Sequence, residues 1–153
     1  METLEPILAE HPFLKGLPDH YLEMVVGCAS NVVFEPDQFL FRDGQEADSF
    51  YIIRKGRVAL EIFIPGAGPL AIDTYSDGEV LGWSWLVPPY HWHYDARASE
   101  QVRAISLDGR CLRGKCEQDM GFGYELLKRF AHLMERRLHA TRLQLLDVYG
   151  TRR

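Results

Sequence analysis

The sequence lacks the features that would place it in a membrane, in a secretory route or on nucleic acid. No apolar run approaches the roughly 20 residues that a bilayer-spanning helix needs. The first residues, Met-Glu-Thr-Leu-Glu-Pro, have neither the basic nor the apolar region of a signal peptide. The net charge of −5 argues against nucleic-acid binding, and three cysteines, an odd number, do not suggest a disulfide framework. We therefore expect a cytoplasmic, reduced protein without a membrane or nucleic-acid partner.

The rest of the composition is that of an ordinary globular chain. Its 153 residues are 46% hydrophobic and 25% charged, which is enough for one domain with a true core. We expect a single domain over residues 1–153. It would consist of an N-terminal helical segment (1–30), a β region (31–108) and C-terminal helices (109–153).

Residues 17–30 are predicted to form a helix. Asp19 is a plausible N-terminal cap, and apolar residues recur at helical spacing, namely Leu22, Val25, Val26 and Ala29. In this interpretation Cys28 is a buried helix residue.

From residue 31 the pattern changes to short strands. Runs of β-branched or aromatic residues are separated by turn signals such as Asp43-Gly44 and Lys55-Gly56. The runs are residues 32–34, 39–41, 50–53, 58–64, 70–75 and 102–107. Strands at such regular spacing predict an antiparallel sandwich or barrel rather than a parallel α/β sheet.

A long helix is predicted from about residue 123 to residue 148. At 1.5 Å per residue, about 25 residues span about 38 Å, which is more than a small barrel needs as a lid. Its apolar face is wide enough for two surfaces, so we expect a homodimer through this helix. The alternative is a helix that wraps only its own barrel.

Residues 81–98 are the most unusual part of the chain. They hold all three tryptophans and two of the six histidines, around a Pro-Pro pair. So much aromatic surface favours burial or a ligand. The candidate ligand-binding residues are Leu81, Gly82, Trp83, Ser84, Trp85, Trp92, His93 and Tyr94.

Four segments resemble the cyclic-nucleotide-binding domain of the Crp/Fnr (catabolite activator protein-like) family. Residues 11–17 are similar to its entry segment, and residues 41–58 carry its glycine turn, Ala-Asp pair and aromatic-Tyr strand. Residues 77–82 resemble the approach to its phosphate-binding cassette, and residues 102–108 its last strand. The resemblance implies a mainly β fold with flanking helices: a double-stranded β-helix, or jelly-roll β-roll, with an N-terminal helix and a long C-terminal dimerisation helix.

The cassette departs from the family at two positions. Family members place a Glu directly after the glycine, for the ribose hydroxyl, and an Arg about ten residues on, for the phosphate. Here Trp83 follows Gly82, and Trp92 stands where the Arg belongs. A hydrogen bond to a charged group contributes about 1.5–3 kcal/mol, and 1.4 kcal/mol is about tenfold in affinity. The loss of both anchors is expected to weaken cyclic-nucleotide binding on the order of a hundredfold or more.

Three uses of the aromatic segment stay open at this point. The rings could line a pocket for a flat or apolar ligand, fill an empty pocket as core, or form a docking patch for another protein. Arg97 is the nearby cation that could replace the missing Arg. Strand alternation, however, turns it to the opposite face from Ala96 and Ala98.

The other candidate groups are better explained as ordinary side chains than as functional sites. His91 and His93 resemble alternating metal ligands, but no barrel strand supplies a third histidine, so we expect no metal site. Cys111 and Cys116 could form a redox switch, yet two ordinary thiols at the start of a helix are favoured. Arg136, Arg137 and Arg142 are expected to be a solvated face, although the resemblance would let Arg137 and Thr141 reach the pocket.

These observations favour a regulatory ligand-sensing or adaptor module that is not an enzyme and carries no cofactor. Because few residues follow the long helix, we expect no DNA-recognition helix after it. The expected partners are a second copy and a small molecule or separate protein. The alternatives are a true cyclic-nucleotide binder with unorthodox contacts and, more weakly, a metal-dependent cupin-type enzyme.

Overall fold

Eight strands form two antiparallel sheets within residues 4–150, the part of the chain that the computed structural model describes. The strands are β1 (Ala29–Phe34), β2 (Phe39–Phe41), β3 (Ser49–Lys55), β4 (Val58–Ile64), β5 (Gly68–Tyr75), β6 (Val80–Leu81), β7 (Asp95–Ala98) and β8 (Val102–Asp108). One sheet has the order β1-β8-β3-β6 and the other β2-β7-β4-β5. The strand runs read from the sequence all lie inside these elements, and the predicted β-roll is confirmed.

Helices flank the roll at both ends of the chain. They are α1 (Glu5–Glu10), α2 (Asp19–Val26), α3 (Gly109–Gln118) and α4 (Met120–Gly150). The predicted C-terminal helix is thus confirmed, and it extends a few residues beyond both predicted ends. No helix in residues 4–150 is long and apolar enough to cross a membrane.

The N-terminal helix is shorter than predicted. It ends at Val26, and β1 already begins at Ala29, so the helix prediction for residues 17–30 is wrong at its end. All six residues of β1 pair with β8, and this long-range pairing outweighs the helical spacing of Ala29. The predicted cap is also wrong: Pro18 occupies the N-cap position, and Asp19 is the first residue of the helix.

The core joins the roll to the first half of α4. Phe122, Leu126 and Phe130 of this helix are fully buried. They pack with side chains of the roll such as Phe50, whose ring centroid lies 5.0 Å from that of Phe130. From Leu138 onward every described residue of α4 is exposed. One helix therefore has a packed half and an exposed half.

The cysteines contradict the sequence-based expectation. Cys28 lies in the turn between α2 and β1 and forms a disulfide with Cys111 of α3, with the two Cα atoms 5.9 Å apart. Cys28 is therefore not a helix residue, Cys111 is not an ordinary thiol, and only Cys116 is free among the described cysteines. A separation of 83 residues hides this pairing from any local pattern.

Candidate ligand-binding site

The aromatic segment leaves the roll at the end of β6. Gly82, at φ +99°, turns the chain out of that strand. Residues 83–87 then form tight turns, in which the Leu86 N–H donates to the Trp83 carbonyl at 3.0 Å. The segment rejoins the roll at β7, so its two ends are fixed by two different sheets.

Trp92 lies directly against Gly82. A Cβ atom on Gly82 would sit 2.7 Å from the Cη2 atom of the Trp92 indole, so only glycine leaves room for the ring. The indole stacks on Phe41 with centroids 3.7 Å apart and planes 9° apart, and Trp92 is 5% exposed. The ring thus fills the space beside the glycine turn.

Trp85 belongs to the core between the roll and α4. It is fully buried, and its ring centroid lies 5.3 Å from that of Phe50 and 5.4 Å from that of Phe130. Its indole Nε1 finds no hydrogen-bond acceptor among residues 4–150. Trp85 therefore anchors α4 against the segment through apolar packing.

The other candidate residues differ in burial. Leu81 is buried; Gly82, Trp83 and Ser84 are half-buried; His93 and Tyr94 are exposed. Of the three uses left open by the sequence, the burial of Trp85 and Trp92 favours filling of the core. Ligand binding by these eight residues stays a prediction.

Arg97 does not supply the missing cation. Ala96 and Ala98 are fully buried, whereas Arg97 lies on the opposite face of β7, as its strand alternation predicts. Its guanidinium is 2.7 Å from a carboxylate oxygen of Glu61 and 3.7 Å from one of Asp37. Two acids therefore already neutralise this charge on the outside of the sheet.

Arg136 and Arg142 are exposed, as expected of a solvated face, but Arg137 contradicts that expectation. Its guanidinium stacks over the Tyr75 ring, 3.8 Å from the centroid, and pairs with Asp73 of β5 at 3.1 Å. It also donates to Glu79, just before β6. The long helix thereby reaches back to the roll two turns beyond its apolar contact. Thr141 is exposed, and its hydroxyl donates to the Arg137 carbonyl within the helix.

Burial controls the titration of the tyrosine beneath Arg137. Removal of the Tyr75 phenol from water raises its pKa to about 12, although the Arg137 charge acts in the other direction. Tyr94 is close enough to act electrostatically on the same phenol. Tyr75, Tyr94 and Arg137 therefore form one cluster next to the segment.

Sequence reasoning missed the role of Arg113. From α3 its Nη1 donates to the Trp85 carbonyl at 2.5 Å and to the Ala47 carbonyl at 3.3 Å. Its guanidinium lies over the Tyr90 ring, 4.4 Å from the centroid. Arg113 thus ties the aromatic segment to α3, and no motif spacing could reveal these backbone acceptors.

The histidine pair shows no metal-site geometry. His91 and His93 are exposed, and His91 forms an isolated bridge with Glu46. Within residues 4–150 no group of three or more His, Cys, Asp or Glu side chains is placed to hold a metal ion.

The fold and the glycine-turned segment define a β-roll binding domain, and comparison with known proteins gives its family. Residues 31–119 match the cyclic nucleotide-binding domain. The chain therefore belongs to the cyclic nucleotide-binding domain family, whose members are named for binding rather than for catalysis.

Similar proteins include a kinase and several binding proteins. Human cGMP-dependent protein kinase 2 is 29% identical over 131 residues, which are 83% of this chain and 16% of the kinase. The chain therefore spans about a sixth of the length of this relative. The crystal structure of a putative cyclic nucleotide-binding protein from Geobacter metallireducens is 26% identical, with a TM-score of 0.79 over 91% of this chain and 100% of that chain.

A third similar protein is the regulatory subunit of a cAMP-independent protein kinase A from Trypanosoma cruzi, bound to guanosine. It is 25% identical, with a TM-score of 0.68 over 85% of this chain and 45% of that chain. The Thermus thermophilus catabolite activator protein, at 19% identity and a TM-score of 0.68 over 91% of this chain and 63% of that chain, shows the shared fold alone.

Proposed function

We propose that this chain is a regulatory ligand-sensing module of the cyclic nucleotide-binding type that does not use the standard contacts to cyclic AMP or cyclic GMP. The observation that carries the proposal is the position of the Trp92 indole. It lies against Gly82 and on Phe41. By the count from Gly82, Trp92 is also the residue that we expect to stand in place of the phosphate-binding Arg of the family.

The nearby cations support the proposal. Arg97 is neutralised by Glu61 and Asp37, and Arg137 by Asp73 and Glu79. A cyclic phosphate that paired with either of these two guanidinium groups would have to break its existing ion pairs. Such an exchange offsets most of the energy of the new bond.

An uncharged flat ligand fits these contacts better than an anion. It needs no cation, and it can stack on indole and phenol rings. The similar Trypanosoma cruzi regulatory subunit is described as cAMP-independent and bound to guanosine, a nucleoside without a phosphate. We take a nucleoside as the ligand class to test first. Entry of any ligand beside Gly82 requires Trp92 to move, because the ring fills that space.

We also propose a homodimer through α4. Leu127, Met134, Leu138 and Leu145 are spaced by seven, four and seven residues, which places them along one coiled-coil seam. Leu127, Leu138 and Leu145 are each about half exposed.

Leu138→Glu with Leu145→Glu should produce monomers in light scattering. Leu143→Glu, on the opposite side of the helix and similarly exposed, should leave the dimer intact. Dimers in the double variant would refute this interface.

The remaining expectations stay predictions. We assign the chain no catalytic step and no cofactor, because the family that it matches is described by binding. A true cyclic-nucleotide binder with unorthodox contacts is the second candidate, favoured by the similarity to a cGMP-dependent kinase. Cytoplasmic location and a lack of contact with nucleic acid or membrane are predictions as well.

Calorimetry on the purified chain tests the proposal. We expect no binding of cyclic AMP or cyclic GMP at micromolar concentrations, and tighter binding of guanosine or adenosine than of either cyclic nucleotide. Micromolar affinity for a cyclic nucleotide would overturn the proposal in favour of the second candidate.

A double variant tests the assignment of the two positions. Trp83→Glu with Trp92→Arg should confer or strengthen cyclic-nucleotide binding, by on the order of a hundredfold, because it restores both polar anchors. Trp83→Glu with His93→Arg is the matched control: it adds the same charges but puts the cation at the exposed neighbouring position. Equal affinity in the two double variants would mean that Trp92 does not occupy the position of the family Arg.

A further inference from the structure

The disulfide encloses the β-roll and the aromatic segment. Cys28 precedes β1 and Cys111 lies in the first turn of α3, so the bridge closes a loop that contains all eight described strands. Cys28 is buried, and Cys111 is half-buried and therefore the more accessible sulfur.

The same turn of α3 holds the aromatic segment. A Cβ atom on Gly109 would sit 2.9 Å from the Trp85 Cβ, so the backbone of the helix lies close to the Trp85 side chain there. Two residues beyond Cys111, the Arg113 guanidinium donates to the Trp85 carbonyl and lies over Tyr90. The bridge therefore fixes the helix turn that positions residues 85–90.

α3 also makes a polar contact with α2. The Lys115 ammonium donates to the Met24 carbonyl at 2.7 Å. When the bridge is broken, this hydrogen bond and the buried side chain of Leu112 still hold α3 on the domain, but its covalent link to the residue before β1 is lost. Its position against the segment then becomes less fixed.

We infer that the Cys28–Cys111 disulfide is a reversible redox link that controls the order of the aromatic segment. A chain with a core of this size does not need a disulfide in order to fold, unlike small disulfide-rich domains. In a reducing compartment such a bridge is open to exchange and serves sensing rather than structure. The order of the aromatic segment then depends on the redox state of the two cysteines as well as on the ligand.

The exchange needs a dithiol reductant. One of its thiolates attacks the Cys111 Sγ, the Cys28–Cys111 bond breaks, and Cys28 leaves as a thiolate that takes up a proton. The second thiol of the reductant then attacks the mixed disulfide and releases Cys111 as a thiol. Two electrons and two protons pass to the protein, and the reductant becomes a disulfide.

Cys116 does not compete in this reaction. Burial and the neighbouring carboxylates Glu117 and Asp119 raise the pKa of its thiol, so the nucleophilic thiolate is scarce at neutral pH. Cys116→Ser is therefore a matched control on the same helix.

Differential alkylation and hydrogen exchange test the inference on the folded full chain. Under oxidising conditions Cys28 and Cys111 should resist alkylation, and dithiothreitol should make both reactive without unfolding the roll. Reduction should raise amide exchange in residues 83–90 and 109–118 at least tenfold more than in β3 and β8. A Tm decrease of about 10 °C is expected from the lost loop constraint.

Two variants complete the experiment. Cys28→Ser with Cys111→Ser should exchange like the reduced protein and should not respond to dithiothreitol, whereas Cys116→Ser should respond like the wild type. Free Cys28 and Cys111 in the oxidised protein would overturn the inference. A bridge that stays intact in dithiothreitol, or a reduction that lowers Tm without faster exchange in residues 83–90, would overturn it as well.

The regulatory meaning of this link rests on the proposed function, but the redox response of the segment does not. Cyclic-nucleotide calorimetry can refute the ligand proposal while the exchange response stands. An absent exchange response leaves the ligand proposal untouched. The two failures are therefore distinguishable.

Discussion

Trp85 and Trp92 lie seven residues apart in one segment, and both are buried, but their neighbours differ. Trp85 is enclosed by Phe50 of the roll and Phe130 of α4. Trp92 is stacked on Phe41, next to the glycine turn and to the exposed residues His93 and Tyr94. The first ring holds two parts of the fold together, whereas the second is the one that we propose to fill a ligand position of the family. Burial alone therefore does not reveal which tryptophan is structural.

The largest expected effect separates the two rings by stability. Trp85→Ala should lower the free energy of unfolding by about 3–5 kcal/mol, because it leaves a closed cavity between the roll and α4. Trp92→Ala should lower the free energy of unfolding by less, because solvent or a ligand can enter the space left beside the exposed residues His93 and Tyr94. Denaturant unfolding measures both values. Equal losses would show that the two rings contribute alike to the core.

The second test concerns the contact between Gly82 and Trp92. Gly82→Ala forces a side chain into left-handed backbone, at about 1–2 kcal/mol, and overpacks the indole, at about 1–3 kcal/mol. Gly78→Ala is the matched control, since Gly78 has φ +84° and nothing within 4 Å of an added Cβ. It should show the backbone cost alone.

The overpacking part should disappear when the indole is removed. Gly82→Ala should therefore cost no more than Gly78→Ala in a Trp92→Ala background, which a double-mutant cycle measures. If Gly82→Ala lowers stability by the same amount in the Trp92→Ala background, the Trp92 indole is not the reason why residue 82 must be glycine.

A smaller effect is expected where α4 makes its polar contact. Arg137→Gln removes the ion pairs to Asp73 and Glu79, which are partly exposed. The free energy of unfolding should therefore fall by about 1 kcal/mol or less. The clearer readout is amide exchange, which should rise in residues 134–141 but not around Phe130, next to Trp85. Arg136→Gln, at an exposed position, should change neither. A uniform rise along α4 would mean that the helix moves as one unit with its Trp85 contact.

Much of the fold could be predicted because its signals are local. Strand runs, glycine turns and the helical period each depend on residues a few positions apart. The proposed replacement of two polar anchors by Trp83 and Trp92 also needs only a count from Gly82.

Most of the wrong or missing predictions involve residues that are far apart in the sequence. Cys28 meets Cys111 across 83 residues, and Arg137 meets Asp73 across 64. Arg113 uses backbone carbonyls, which carry no sequence signal at all. Ala29 lies in a strand because β1 pairs with β8. The helical spacing of apolar residues before it does not predict this pairing. Local reasoning therefore locates the segment but not the contacts that hold it.

The smallest effect at neutral pH concerns Tyr75, which lies beneath Arg137 near the Trp92 end of the segment. The folded pKa of about 12 lies above the ordinary value of 10.0, so the fold favours the neutral phenol. Its stabilising contribution is complete below pH 10 and is lost as the pH rises from 10 through 12. Tyr75→Phe should therefore lose less stability than the wild type over that interval, in denaturant unfolding at fixed ionic strength. Tyr124→Phe, at an exposed position of α4, should follow the wild type. If Tyr75→Phe also follows it, the phenol is hydrated, and the Trp92 end of the segment is open to water where the Trp85 end is closed.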